Sequence, residues 1–383
     1  VTARHARGDG RLAELDLLRF LAALLVLAFH YLVAFASVWG ERPSELFPAL
    51  APLAGLGILG VELFFMISGF VILMTVWGRG LGSFAWSRFV RLYPAYWLSL
   101  AAVVAVTALA AVKGPDARLD AGEYAVNATM VQRLFGVPDA NGVYWSLWAE
   151  LRFYLLMALM VLVGITYRRI LAFMACWLAA AAVVEWSPQL GSLLGLEWLA
   201  GLETTKLVTE AVMPRYAPYF VAGMALYLIR RHGSAWLPWL MVVAGWVMAL
   251  HAALERVGGR IAKAGFKAMP VTDAGVIVTI TLIFAVMSLV ALGLLRLPAS
   301  RALTGLGGTT YPLYLFHTPV AVALIPALRD AMPPWLLATL TTLAAIGLSY
   351  LVYACVERPI QRLLRPRRTP TPPVVTREKA AVP

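Results

Sequence analysis

Apolar runs of about twenty residues alternate along most of this chain with short connections that carry its arginines. An α-helix rises ~1.5 Å per residue, so some twenty apolar residues cross ~30 Å of hydrocarbon. Runs of that length fall near 15–37, 53–77, 91–112, 143–163, 168–186, 214–230, 235–254, 273–295, 307–328 and 334–356. The stretch LGSLLGLEWLAGLETTKL, from Leu190 to Leu207, is shorter and amphipathic, and reads as a surface or re-entrant segment. An eleventh span there would invert everything downstream of it. No internal repeat is visible. The pattern predicts an all-α polytopic integral membrane protein, a bundle of about ten transmembrane helices.

The charges orient that bundle. Positive residues collect on cytoplasmic connections. With the N-terminus inside, the inner segments hold Arg4, Arg7, Arg11, Arg79, Arg88, Arg91, Arg168, Arg169, Arg230, Arg231, Arg296 and Arg301. The tail adds Arg358, Arg362, Arg365, Arg367 and Arg368. The outer segments take most of the loop acids, among them Glu41, Glu45, Asp116, Asp120, Glu123, Glu203 and Glu210. One outer loop disagrees, because Glu255–Lys267 carries Arg256, Arg260, Lys263 and Lys267. The balance places both termini in the cytoplasm. Residues 1–10 then form a cytoplasmic segment, 11–360 the membrane domain, and 361–383 a tail whose Pro, Thr and Val content reads as disordered.

Composition agrees. Of 383 residues, 61% are hydrophobic and 14% charged, against about 25% charged for a soluble domain. The net charge of +12 lies largely in connections and tail, as membrane topology requires, so no nucleic-acid partner is expected. Cys176 and Cys355 lie inside apolar runs and read as packed thiols rather than a disulfide framework. No cleavable signal peptide is evident. Arginine far outnumbers lysine and alanine is abundant, an association with GC-rich bacterial genomes, so the expected location is a bacterial plasma membrane.

Ionisable groups inside membrane spans are costly and point to function. The first run, RLAELDLLRFLAALLVLAFHY, contains Asp16, Arg19 and His30. Arg19 and His30 are eleven residues apart, roughly 16 Å along the axis and on nearly one helix face. A neutral imidazole can take a hydroxyl proton near pH 7 as a general base. Asp16, three residues before Arg19, reads as the partner that fixes that guanidinium. Arg88 and Arg91 also stand three apart, and guanidinium forks suit phosphate oxygens; they serve equally well as a positive-inside anchor pair. Glu150 and Arg152 enter the fourth span among aromatics, and residues two apart on a helix do not face each other. His317 is the second intramembrane imidazole, as readable as a structural residue as a functional one. Glu62, set among small residues in GILGVELFFMISGFVI, reads as internally paired. Two histidines without a third ligand do not make a zinc site. Gly258-Gly259 and Gly307-Gly308 are isolated pairs read as lying in connections.

Six segments, in order, resemble the acyltransferase family 3 membrane proteins. LDLLRFLAALLVLAFH resembles that family's LDGLR…H, and GVELFFMISGF its GVDLFFVLSGF. SRFVRLYPAYWL resembles RRLLRIYPLYW, YWSLWAELRFYLL resembles WSLSVEEQFYLL, YPLYLFHTPV resembles YSLYLLHxP, and Glu357-Arg358-Pro359 resembles the closing ERP. The matches cover about residues 11–360. They imply about ten spans with cytoplasmic termini and transfer of an acyl group, usually acetyl, from acyl-CoA to a hydroxyl. The resemblance assigns the essential histidine to His30, the preceding arginine to Arg19, the R-x-x-R to Arg88 and Arg91, and the acidic position to Glu150. Departures are the single Glu150 where the family has two acids, Arg152 for Gln, and Glu62 for Asp. WSLWAELRFY and the compact length are closer to the actinomycete branch that acylates macrolide antibiotics.

The catalytic set is therefore His30 and Glu150. The donor- or substrate-binding set is Asp16, Arg19, Arg88, Arg91, Tyr311 and His317. Acyl-CoA is a donor substrate, with no permanently bound cofactor and no metal; the other partners are the bilayer and a hydroxyl-bearing sugar, polysaccharide or macrolide. The pantetheine arm is expected to thread from the arginines to His30, which acts as base or, alternatively, as a transient acyl carrier. The rival class is a secondary transporter or flippase for a glycolipid or small metabolite, which also buries charge near mid-membrane.

Overall fold

The computed structural model describes residues 12–109, 119–263 and 271–364, the side chains of 258–263 excepted. The segment 1–10 and the tail from Arg365 lie outside the described residues. No strand occurs among those described. Nine of the helices described are long and apolar enough to cross a membrane. They are α1 (Ala13–Ala34), α2 (Ala51–Val76), α3 (Leu81–Leu109), α4 (Tyr144–Val163), α5 (Tyr167–Glu185), α7 (Trp236–Lys263), α8 (Asp273–Leu292), α9 (Arg301–Leu328) and α10 (Pro334–Leu363). A further helix, α6 (Ala217–His232), has 16 residues and is buried throughout Ala217–Ile229. It forms the axis of the bundle, where neighbouring helices replace lipid on every side. Short helices at Ser187–Leu194, Glu197–Ala200 and Lys206–Val212 leave Leu193, Leu194, Trp198 and Leu207 exposed, as a surface segment should.

Glycine lets the central helices meet backbone to backbone. A Cβ on Gly69 of α2 would land on the Phe220 carbonyl of α6, and one on Gly223 of α6 on the Met66 carbonyl of α2. Gly57 and Gly60 bring the other flank of α2 equally close to Leu25 and Ala22 of α1. The run GILGVELFFMISGFVI is thus a two-sided spine. Its Glu62 is paired internally, with Arg256.

Several boundaries move from their sequence positions. The third helix begins at Leu81 rather than 91, the ninth at Arg301 rather than 307, and the last continues to Leu363 rather than 356. Charges end an apolar window without ending helical hydrogen bonding, so polar turns project past the hydrocarbon. Gly307 and Gly308 consequently lie in α9, not in a connection, packed against Asp16 and the Tyr353 ring. Arg256 is likewise helical and 9% exposed, with its guanidinium on Glu62 and over Trp145. That removes one cation from the outer loop that opposed the charge rule. Cys176 and Cys355 face outward rather than into the core. Lipid is as apolar as protein interior, so apolar surroundings in sequence do not imply inward packing.

Candidate active site

The amino end of α1 and the carboxyl end of α10 lie together. Leu12 and Gln361 line one cavity of about 280 Å³, with Asp16, Arg19, Arg91 and Tyr353. Asp16 stands 3.8 Å from Arg19, one turn apart as expected. Glu357, 1% exposed, holds the Arg91 guanidinium at 2.9 Å. Glu357 sits in a π-helical turn, Tyr353–Glu357, where one extra residue per turn re-aims the side chains.

Arg19 and Arg91 are shared with a second cavity of about 250 Å³ deeper in the bundle. Arg88 joins them there, with Ser68, Glu150, Tyr154, Tyr311, Phe64 and Tyr314. The spacing of Arg88 and Arg91 puts both on one face of α3. Each guanidinium lies over an aromatic ring, Arg88 over Tyr154 at 5.8 Å and Arg91 over Tyr311 at 5.4 Å. Tyr311 is fixed in turn by donating to the Leu92 carbonyl at 3.1 Å. Glu150 accepts from Ser68 at 2.7 Å and from Tyr154 at 2.5 Å. Three cations facing one carboxylate give this cavity a net positive wall.

The second constellation lies toward the other end of α1. His30 opens a π-helical turn, His30–Ala34, with the Phe35 amide donating to its carbonyl at 3.0 Å. His317, 1% exposed on α9, approaches it: Nε2 of His317 lies 3.2 Å from Nδ1 of His30. Nδ1 of His30 is also 2.8 Å from the Val26 carbonyl, and Nδ1 of His317 is 3.1 Å from the Leu313 carbonyl. Tyr31 donates to the His317 carbonyl at 2.7 Å, tying α1 to α9 beside the two rings.

The prolines of α9 help to hold this face. Pro319 has no amide hydrogen, so the Leu315 carbonyl one turn earlier lacks its helical donor. Ser99 and Asn141 supply donors instead, at 3.3 and 3.2 Å. Tyr314, which closes the deep cavity, bonds Ser146 at 2.6 Å and the Val143 carbonyl at 3.1 Å.

A family model described as an acyltransferase domain matches residues 12–354. The chain belongs to acyltransferase family 3. No curated protein and no solved structure is similar enough to match it. Membership makes the chain a membrane acyltransferase and takes precedence over the transporter reading.

In this family 3 acyltransferase, Asp16, Arg19, Arg88, Arg91 and Tyr311 come together around the two connected cavities. Two residues sit elsewhere than their assigned sets. His317 meets His30 instead of the arginines, and Glu150 lies among the arginines instead of beside His30. The histidines do not line the deep cavity, which ends at Phe64 and Tyr314. Tyr314 stands 6.0 Å from the His317 ring, and Phe64 5.9 Å from Tyr314. Tyr314 thus links the lining of the deep cavity to the His317 ring, with Phe64 packed against it. Arg152 does not neutralise Glu150; it pairs with Glu210 at 2.8 Å. His251 stands 3.9 Å from Glu185 and 3.7 Å from Glu255. This partly exposed His/Glu/Glu grouping brings three ligand atoms within 4.8 Å of one another, close enough to hold a metal ion, and exposed acidic groups often sit so without one. Sequence reasoning also missed Ser68, Tyr154, Tyr314 and Glu357 as site residues. All four stood inside quoted motifs, but only the fold shows which way each side chain points.

Proposed function

We propose that this protein transfers an acyl group, acetyl in the first instance, from acyl-CoA to a hydroxyl of a carbohydrate or glycosylated metabolite such as a macrolide. One observation carries this reading: Arg19, Arg88 and Arg91 converge on cavities at one end of the bundle, while a pair of imidazoles, half-buried His30 and buried His317, stands at the other end of α1. The arginines suit the phosphates of a nucleotide thioester, in geometry that a point charge would not match. With the arginine-rich end in the cytoplasm, CoA arrives where those phosphates are held.

The thioester then faces the aromatic pair Phe64 and Tyr314, whose side chains move aside as the pantetheine arm enters. The acceptor hydroxyl loses its proton to His30 as its oxygen attacks the thioester carbonyl. Collapse of the tetrahedral intermediate breaks the C–S bond, and the thiolate takes that proton back to leave as CoA-SH. The acceptor ester and neutral His30 remain. Glu150, held by Ser68 and Tyr154, offsets part of the positive charge of the cationic wall.

The test is thiol release from acetyl-CoA by purified protein, followed with dithionitrobenzoate against a panel of sugars and macrolides. Release should require an acceptor, and His30→Ala should lower kcat by a factor on the order of 10²–10⁴. Acceptor-dependent turnover that persists unchanged in His30→Ala would remove the base from this scheme.

A further inference from the structure

The two histidines are joined in a way that fixes where their hydrogens sit. A carbonyl oxygen only accepts, so Nδ1 of His317, 3.1 Å from the Leu313 carbonyl, carries a hydrogen. In a neutral ring the lone pair then falls on Nε2. That lone pair is 3.2 Å from Nδ1 of His30. The same His30 nitrogen lies 2.8 Å from the Val26 carbonyl. Two acceptors converge on one nitrogen, so Nδ1 of His30 carries its hydrogen and shares it between them. The lone pair of His30 is left on Nε2. Both rings are Nδ1–H tautomers, and each is read from a helix carbonyl one turn earlier.

We propose that His317 is a positioning residue for His30. Resting on the acyl-transfer reading above, it holds the Nδ1 hydrogen and fixes the plane of the ring that abstracts the proton. It also strengthens that hydrogen bond when His30 becomes an imidazolium. The proton account is closed. The acceptor's O–H bond breaks, Nε2 of His30 takes the proton, and Nδ1–H of His30 becomes a charge-assisted donor to Nε2 of His317. Breakage of the C–S bond returns the Nε2 proton to sulfur, and His317 has stayed neutral throughout.

An aspartate fills the corresponding place behind the histidine of serine hydrolases. Here the position is 1% exposed inside a membrane bundle, where an ionised carboxylate is costly. A neutral imidazole supplies the acceptor without that charge. Its own orientation is secured twice, by Leu313 on its ring and by Tyr31, which donates to its carbonyl at 2.7 Å. Tyr31 follows His30 directly, so one turn of α1 carries both the base and the clamp on the residue behind it.

Two substitutions separate positioning from packing. His317→Leu fills the space but accepts nothing; His317→Gln restores an acceptor oxygen. His317→Leu should lower kcat about 100-fold with the acetyl-CoA KM held within twofold, and His317→Gln should recover at least tenfold of that loss. Equal impairment of the two variants, or a loss expressed mainly in KM, would overturn the proposal.

A second measurement does not depend on turnover. The chain has five histidines, so ring-¹⁵N-labelled protein in detergent gives a short spectrum. His30 and His317, assigned by the loss of each signal on substitution, should both show a protonated Nδ1 and an unprotonated Nε2. A protonated Nε2 on either ring would overturn the hydrogen-bond arrangement itself. If wild-type protein shows that tautomer pair but transfers no acyl group to any acceptor, the functional reading fails and the pairing stands. If it transfers acyl groups with the wrong tautomers, the pairing fails alone.

Discussion

The three arginines of the deep cavity are not equivalent, and the difference is measurable. Arg91 is committed to Glu357 at 2.9 Å and lies over Tyr311, whereas Arg88 rests over Tyr154 and donates to Ser87 at 3.3 Å. Arg88→Ala should therefore raise the KM for acetyl-CoA by about tenfold, the worth of one charge-assisted hydrogen bond, while leaving the thermal midpoint in place. Arg91→Ala should raise KM comparably and also lower the midpoint by several degrees, because Glu357 is 1% exposed and loses the cation that compensates its burial. Initial rates against acetyl-CoA concentration, with a thermal scan of each variant, check both; equal midpoints would mean the Arg91–Glu357 pair contributes nothing to the fold. The arginine pair itself could be read from its spacing. Its partner could not, since Glu357 is 266 residues away, and the same holds for His317, 287 residues from His30. Residue types and local spacing expose which groups are costly in a membrane, but pairing across that distance is decided by helix packing.

At the scale of elements, α2 is the helix on which both constellations depend. It touches α1 through Gly57 and Gly60, and α6 through Gly69 against Phe220 and Gly223 against Met66. The reciprocal pair Gly69 and Gly223 sets the α2–α6 distance at backbone contact, so Gly223→Ala must push the helices apart. The cost of such overpacking is about 1–3 kcal/mol, seen as a lowered thermal midpoint. Phe65 of α2 packs on Phe220 of α6 at 5.0 Å and, with Ser68, also lines the arginine cavity, so the displacement reaches the site as well as the fold. The acetyl-CoA KM should consequently rise along with the loss of midpoint, and an unchanged KM beside a lowered midpoint would mean that the cavity wall does not follow this helix contact. The apolar spans were plain in the sequence because hydrocarbon thickness dictates their length. The interruptions were not: the π-helical turns at His30 and Tyr353 leave no mark in hydropathy, and Arg256 looked like a loop cation because its neighbours Arg260 and Lys263 are charged too.

For the whole molecule, the separation of the two constellations along α1 sets the direction of traffic. Leu12 lines the outer of the two cavities, and His30 lies eighteen residues further on, roughly 27 Å along a helix axis. The arginine cavities are reached from the end that carries Leu12 and Gln361; His30 is only half-buried, near the short helices Ala36–Trp39 and Pro43–Leu46 at the other end. Donor and acceptor should thus approach from opposite membrane faces and meet where Phe64 and Tyr314 separate cavity from imidazole. Proteoliposomes of known orientation test this, because acetyl-CoA, dithionitrobenzoate and a charged sugar acceptor do not cross lipid. Vesicles with the Leu12 end outward should release thiol from external acetyl-CoA only when the acceptor has been sealed inside. Acceptor added outside, on the donor's face, should leave the rate at background. Equal rates with acceptor on either side would mean that the hydroxyl reaches His30 through the arginine cavity, and the aromatic pair would then be part of the acceptor's route rather than the wall between two substrates.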